Sequence, residues 1–333
     1  MKPLLTVGIT SYNRVNELIR CIKSIKTKYI DDIEILISED KSPLSLEIKN
    51  RVEQLADKSR YNIRFTTNEK NLGYDMNLGA IIKKSRGEYI FFMSDDDAVA
   101  KNSLDKIIEF IRERKDVGVL YAPFKYAGIK RKDRVRGEDH FIPAGANSAQ
   151  KLIYDSILFS GLIFKKEYVE KYDSSRFKNL NYFQVYLFLQ MLLHHGGYYF
   201  SKPSVICVGD GENAYGISES SGGNKILANR KSVKSNLEFN KTLIKVIRMF
   251  DEDEHTDIIT SFSRQYSIHS YSGLSIAREQ GIKYYNEYWK ILKNLDIKLN
   301  PVIYVYYIVL LILGRKCSDF VFSGFRKIAK KEK

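Results

Sequence analysis

Tyr89-Ile90-Phe91-Phe92-Met93-Ser94-Asp95-Asp96-Asp97 joins a short apolar run to three consecutive carboxylates. A run of this length without polar alternation predicts a strand buried on both faces, the kind found in parallel sheets covered by helices. In such sheets ligands bind outside the carboxyl ends of the strands, which is where the three acids stand. Like charges held together repel. A hard divalent cation relieves that repulsion: Mg²⁺ takes one or two carboxylates and completes its shell with water and phosphate oxygens. The competing role, capping a following helix, gains each acid only about 0.3–1 kcal/mol from the helix dipole. A metal diphosphate therefore suits the triplet better.

Working outward, residues 4–10, 33–38, 61–67 and 117–121 read as further strands around 89–93. Between them Val15, Leu18, Cys21, Ile22 and Ile25 recur at helical spacing, as do Ile48, Val52 and Leu55, and then Leu104, Ile107, Ile108 and Ile111. Strand and helix in alternation imply right-handed crossovers. The fold class expected is α/β, with a mostly parallel sheet flanked by helices and a C-terminal helical extension.

The chain has 333 residues and a formal charge of +14, with 44% hydrophobic residues, a composition that excludes collagen-like and wholly disordered classes. Cys21, Cys207 and Cys317 are odd in number and far apart, which argues against a disulfide framework or structural zinc and fits a reducing compartment. The N-terminus lacks the three regions of a signal peptide, so a cytoplasmic location is expected.

Residues 125–147, with the basic run 130–136, read as a surface excursion; 157–164 as a strand; 181–195 as a helix; and 198–208 as extended. The glycine-rich stretch 209–224 is expected to be a mobile loop over the ligand. The organisation expected is a catalytic domain over 1–225, divided into a donor half (1–120) and an acceptor half (121–225), and a helical region over 226–333. Within the latter, 301–313 is apolar throughout but shorter than the roughly 20 residues a bilayer core requires. Arg315, Lys316, Arg326, Lys327, Lys330, Lys331 and Lys333 follow it. Two readings stand: a buried core helix with a solvated tail, or an amphipathic segment docked on an anionic membrane surface.

Four segments in order resemble the family 2 glycosyltransferases of the GT-A fold. They are Ile9-Thr10-Ser11-Tyr12-Asn13-Arg14, then Ile35 to Ser42, then Asn71-Leu72-Gly73-Tyr74-Asp75-Met76-Asn77, and finally Arg86-Gly87-Glu88-Tyr89-Ile90 leading to the acid triplet, which is similar to the family's Asp-x-Asp region. The resemblance implies that Thr10, Tyr12 and Asp40 hold the nucleoside and that Asp75 and Asn77 line the donor pocket. It implies that Asp95 lies near the ribose, that Asp96 is the principal ligand of Mn²⁺ or Mg²⁺, and that Asp97 supports the metal or the sugar. The donor implied is a nucleoside diphosphate sugar, a UDP-sugar above all, with inversion at the anomeric carbon. Ser160, Gly161 and Gln184 fall on the acceptor side.

One departure from the family pattern concerns the general base. Members carry an acidic pair opening the acceptor-side helix, whereas this chain reads Asn181-Tyr182-Phe183-Gln184 there. Glutamine cannot take a proton at neutral pH. Asp155, Asp173, His194 and His195 are the substitutes, with the two histidines also suited to a helix end before Gly196.

The leading function is transfer of a sugar to a saccharide acceptor, carried on a lipid at the inner membrane face, in bacterial capsule or O-antigen assembly. Sugar-phosphate nucleotidyl transfer is the alternative, although Thr10 to Arg14 is not the Gly-rich basic loop that a triphosphate requires. A non-catalytic membrane or nucleic-acid binder is a third, and no nucleic-acid module is recognisable.

Overall fold

The computed structural model describes residues 2–114, 116–127, 137–208 and 233–329. The chain divides into two compact units, Met1–Asn224 and Lys225–Lys333.

The first unit is built on an eight-stranded sheet of order β3-β2-β1-β4-β9-β6-β10-β8. Its parallel half comprises β1 (Leu5–Ser11), β2 (Ile33–Glu39), β3 (Asn62–Thr67) and β4 (Tyr89–Ser94), with β3 at the edge. Alternate strand residues face opposite layers. Leu5, Val7, Ile9, Ile35, Ile37, Phe91 and Met93 face α1 (Val15–Ser24), α2 (Ser45–Ala56) and α4 (Ser103–Glu113) in one apolar core. The other layer includes α3 (Tyr74–Lys84), whose Ile81 so crowds Gly8 that a Cβ there would lie 2.4 Å from its Cγ2. Glu34 is fully buried in this layer, accepting from Thr6 Oγ1, Arg64 Nη1 (both 2.7 Å) and the Arg86 N–H.

The antiparallel edge is less regular than the sequence suggests. Val117 and Gly118 lie outside β6 (Val119–Tyr121). The expected strand over 157–164 shrinks to β9 (Ile163–Lys165), because Gly161 adopts a left-handed φ of 95° and the Leu162 N–H closes a turn on the Phe159 carbonyl. Ser160 and Gly161 thus sit on a turn rather than a strand. The segment 198–208 is two strands, β10 (Gly197–Tyr199) and β11 (Val205–Cys207), parted around Pro203, whose ring removes a ladder donor. The excursion after residue 123 contains β7 (Phe124–Tyr126), β8 (His140–Ile142) and the start of α5 (Ala146–Leu152). β5 (Ala98–Val99), β11 and β7 form a second, small sheet directly after the acid triplet. Helix α6 (Lys166–Val169) leads towards α7 (Phe183–His194), which is buried from Phe183 to Leu192. The basic run 130–136 and the expected loop 209–224 lie outside the described residues.

The second unit is helical: α8 (Val233–Glu254), α9 (Ile258–His269), α10 (Tyr271–Glu279), α11 (Ile282–Lys293) and α12 (Val302–Ala329). Asp251 ties α8 to α9 by accepting the N–H groups of Ile258 and Ile259. Tyr307 of α12 stacks on Tyr285 and Trp289 of α11. Of the apolar run 301–313, Ile303 and Leu310 are fully buried, whereas Tyr304, Val305, Ile308, Leu311, Ile312 and Leu313 are exposed. Gly314 then breaks the helix with φ 67°. The segment is therefore not a wholly buried core helix; one face packs and the other is bare. Among the described residues no helix is long and apolar enough to cross a membrane.

Candidate active site

The parallel register brings four strand ends to one edge. Thr10 is opposite Ser94, Ser11 opposite Glu39, and Glu39 opposite Thr67. The segments that follow, Tyr12 to Arg14, Asp40, Asn68 and Asp95 to Asp97, therefore share the carboxyl edge of the sheet.

The triplet is almost wholly buried, at 3%, 7% and 4% exposure for Asp95, Asp96 and Asp97. Asp95 accepts the Tyr12 N–H at 3.2 Å and Arg14 Nη1 at 2.8 Å. The same Arg14 nitrogen lies 3.4 Å from Asp96 Oδ2. Ser94 Oγ donates to Asp96 Oδ1, and Arg20 Nη2 donates to the Asp96 carbonyl at 3.0 Å. Asp97 accepts from Ser160 and from the Val208 backbone. Burial raises the Asp95 carboxyl to about 7 against the opposing pull of Arg14, and raises Asp97 to about 6. Both are thus poised to gain from a further positive charge.

Such a set suits a divalent cation. The donors are hard oxygens, and Asp95 and Asp96 already share one positive group between them. Among the described residues no cluster of three or more His, Cys, Asp or Glu side chains could hold a metal. Mg²⁺ needs only one or two carboxylates when phosphate and water supply the rest.

The remaining expected residues are distributed unevenly. Thr10 and Tyr12 lie at the edge beside the triplet. Asp40 lies there too, but its oxygens accept Asn68 Nδ2 (2.9 Å) and the N–H groups of Leu72 and Gly73 (both 2.8 Å). Three of about four acceptor positions are thereby filled, leaving one for a further donor. Asp75 and Asn77, expected to line the donor pocket, are instead committed inside the protein. Asp75 accepts the N–H groups of Asn181 (2.8 Å) and Phe183 (2.9 Å). Asn77 accepts from Ser38 Oγ and Asn68 Nδ2 and donates to the Ser38 carbonyl. A buried carboxylate or amide is stable only when so satisfied, and these partners come from segments far along the chain.

Gln184 and Ser160 fall on the triplet's side of the fold. Gln184 Nε2 donates to the Ile157 carbonyl at 3.2 Å, while its buried Oε1 has no partner among the described residues. Gly161 is held by its N–H to the Phe92 carbonyl. Asp155 occupies a 3₁₀ turn, Ile153–Ser156, that leads into Ile157. Asp173 is exposed and its two oxygens accept the Ser175 N–H and hydroxyl, which hold it below the usual carboxylate range. His194 and His195 end α7, with His195 stacked on Tyr168 at 3.8 Å. Tyr168 follows Lys165, which pairs with Tyr89 at the opening of β4. Both histidines are thus at the opposite end of β4 from the acids, roughly 20 Å away for six residues of strand.

Sequence reasoning assigned no role to Arg14, Arg20, Asn68 or Ser94, although Arg14 stands within the first family-like segment. A lone arginine three residues beyond a strand carries no marker of its partner.

A mostly parallel sheet with acids at the carboxyl end of a central strand, reached by the loop after the first strand, defines the class of GT-A glycosyltransferases. Structures with this fold include TarS of S. aureus, residues 1–349, in complex with UDP-GlcNAc (16% identity, 90% of this chain and 97% of that one, TM-score 0.53). Another is mannosyltransferase PcManGT from Pyrobaculum calidifontis in complex with GDP-Man and Mn²⁺ (13%, 94% and 87%, TM-score 0.50). The profile of Glycosyl transferase family 2 matches residues 6–172, and the chain belongs to that family. The abequosyltransferase RfbV of Salmonella typhimurium is 28% identical over 63% of this chain and 68% of its own length. The GalNAc(5)-diNAcBac-PP-undecaprenol beta-1,3-glucosyltransferase of Campylobacter jejuni is 30% identical over 33% and 35%. The protein is a glycosyltransferase, which sets aside the nucleotidyl-transfer and non-catalytic alternatives.

Proposed function

We propose that this enzyme moves a sugar, with inversion, from a nucleoside diphosphate sugar to a saccharide acceptor carried on a lipid, in the assembly of a bacterial surface polysaccharide. The observation that carries the reading is the buried triplet Asp95–Asp97 at the carboxyl end of β4, closed over by Tyr12 and Arg14. Thr10, Tyr12 and the free acceptor position of Asp40 take the nucleoside. Asp96, with Asp95 and Asp97 beside it, holds Mn²⁺ or Mg²⁺, which supplies positive charge to the departing diphosphate. Arg14 and Arg20 add further positive charge at the same corner.

Ser160, Gly161 and Gln184 form the acceptor wall. Of the four candidate bases, the histidines sit at the wrong end of β4, and Asp173 is held in a low-affinity state for protons by Ser175. Asp155 is left as the base, in the turn beside the Ile157 carbonyl that holds Gln184.

A UDP-sugar is the donor favoured, in keeping with the UDP-GlcNAc bound by TarS. Lipid linkage is favoured by the bare apolar stripe Tyr304, Val305, Ile308, Leu311 and Ile312 on α12, followed by a cationic tail, which suits an anionic bilayer surface. It is also in keeping with the undecaprenol-linked acceptor named for the Campylobacter relative. On this reading the enzyme works at the cytoplasmic face of the membrane. The deciding experiment is a panel of UDP-, GDP- and dTDP-sugars assayed for slow hydrolysis with and without Mn²⁺ or Mg²⁺. One donor turned over only with metal is the expected result; no turnover of any donor would overturn the reading.

A further inference from the structure

Arg14 opens α1 behind Asn13, whose left-handed φ of 60° turns the chain sharply after β1. Its side chain is 12% exposed, and the side chains alone of Asp95 and Asp96 are 4% and 11% exposed. A single nitrogen, Nη1, faces both of them, at 2.8 Å from Asp95 Oδ1 and 3.4 Å from Asp96 Oδ2. The guanidinium therefore bridges the two acids much as a small cation would. Removing it without replacement would leave buried like charges facing each other, a costly arrangement. Adding a dication without removing it would place two positive centres against the same two oxygens.

We propose that Arg14 is the resident counter-cation of the acid triplet, and that a divalent metal enters only as the guanidinium gives up Asp95 and Asp96. The inference rests on the metal-assisted reading above and adds an exchange of one cation for another. The released guanidinium has an acceptor at hand when the metal arrives with a nucleoside diphosphate, because its planar fork matches phosphate oxygens. Metal alone displaces Arg14 without phosphate oxygens to receive its fork. Metal binding is therefore weak in isolation and strengthened by the diphosphate, and the strengthening passes through Arg14. The chain protects a crowded set of carboxylates with its own positive charge until substrate is present.

The test is Mn²⁺ binding by the full-length protein, read from the paramagnetic resonance of free Mn²⁺, with no turnover involved. Arg14→Gln is expected to bind Mn²⁺ alone roughly tenfold more tightly than the unaltered protein, or better still, because a competing charge is gone. Arg14→Lys, which keeps the charge, is expected to stay near the unaltered value. UDP should improve Mn²⁺ affinity more in the unaltered protein than in Arg14→Gln. Circular dichroism checks folding, and Arg14→Met carries the same expectation should Arg14→Gln fail to fold. Mn²⁺ affinity unchanged or weakened in the neutral variants overturns the exchange, as does a failure of Mn²⁺ to bind at all. In that last case donor hydrolysis in EDTA shows separately whether sugar transfer survives.

Discussion

The carboxylate of Asp75 accepts the backbone N–H of Phe183 at 2.9 Å, so that the first turn of α7 is capped by a residue 108 positions earlier in the chain. The Asn181 N–H joins it at 2.8 Å. Helix α7 has no side-chain cap of its own at Tyr182, and its first turn contains no acid. The donor-half helix α3 therefore fixes the opening of the helix that bears Gln184. Asp75→Ala should leave these N–H groups buried without partners and cost about 1–3 kcal/mol, with transfer falling more than donor hydrolysis. Chemical denaturation and the two assays measure it; an unchanged midpoint would refute the capping role.

The same residue sets a pH dependence. Burial raises the Asp75 carboxyl from 3.8 to about 7 against the pull of its N–H partners. Between those values the folded protein keeps a proton that the unfolded chain has lost, so stability falls as pH rises through the window. Below pH 4 and above pH 7 the contribution is level. Asp75→Asn removes the titration, and the difference in stability between the unaltered protein and this variant should shift by a few kcal/mol from pH 4 to pH 7. Denaturation midpoints at several pH values that track one another in the two proteins would count against it.

At the triplet, Asp96→Asn should abolish metal-stimulated turnover while leaving the thermal transition within a few degrees. The substitution keeps size and one acceptor oxygen for Ser94 Oγ, yet removes a charge that a metal would use. Full metal-stimulated activity in this variant would end the assignment of Asp96.

Asp155→Asn tests the base. Transfer to acceptor should drop by roughly 10²–10⁴-fold, the usual contribution of a general base, while metal-dependent donor hydrolysis changes little. Equal loss in both assays would point to a structural role instead.

On α12, Ile308 and Ile312 lie one turn apart on the bare face. Replacing both with Glu should release the protein from liposomes containing anionic lipid without unfolding α12, since both side chains are exposed. Co-sedimentation measures this. Undiminished binding, or a change only in dimer content by sedimentation velocity, would refute membrane docking.

Strands β1, β2 and β4 were legible because each is a mostly apolar run buried on both faces, and helices α1 and α4 because their apolar residues repeat at helical spacing. The antiparallel edge was harder to read. Ile157 to Phe164 looks like one strand, but the positive φ of Gly161 makes a turn of it, and three-residue strands such as β6, β7 and β9 fall below the length at which periodicity carries information. On α12 the apolar run was plain, while the partition into a packed and a bare face depends on which neighbours Tyr285 and Trp289 present.

At the site, the acid triplet and its position at a strand end follow from local order along the chain: an apolar run stops and charges begin. That much the amino-acid order determined unaided, together with the α/β alternation that aligns four strand ends. Tertiary structure alone decided that Arg14 pairs with Asp95 and Asp96, that Asp75 caps the opening of α7, and that His194 and His195 stand at the far end of β4. The reason is that a charged side chain's role is set by what lies within a few ångströms of it once water is removed. Those neighbours come from segments about 80 to more than 100 residues apart, which no local pattern encodes.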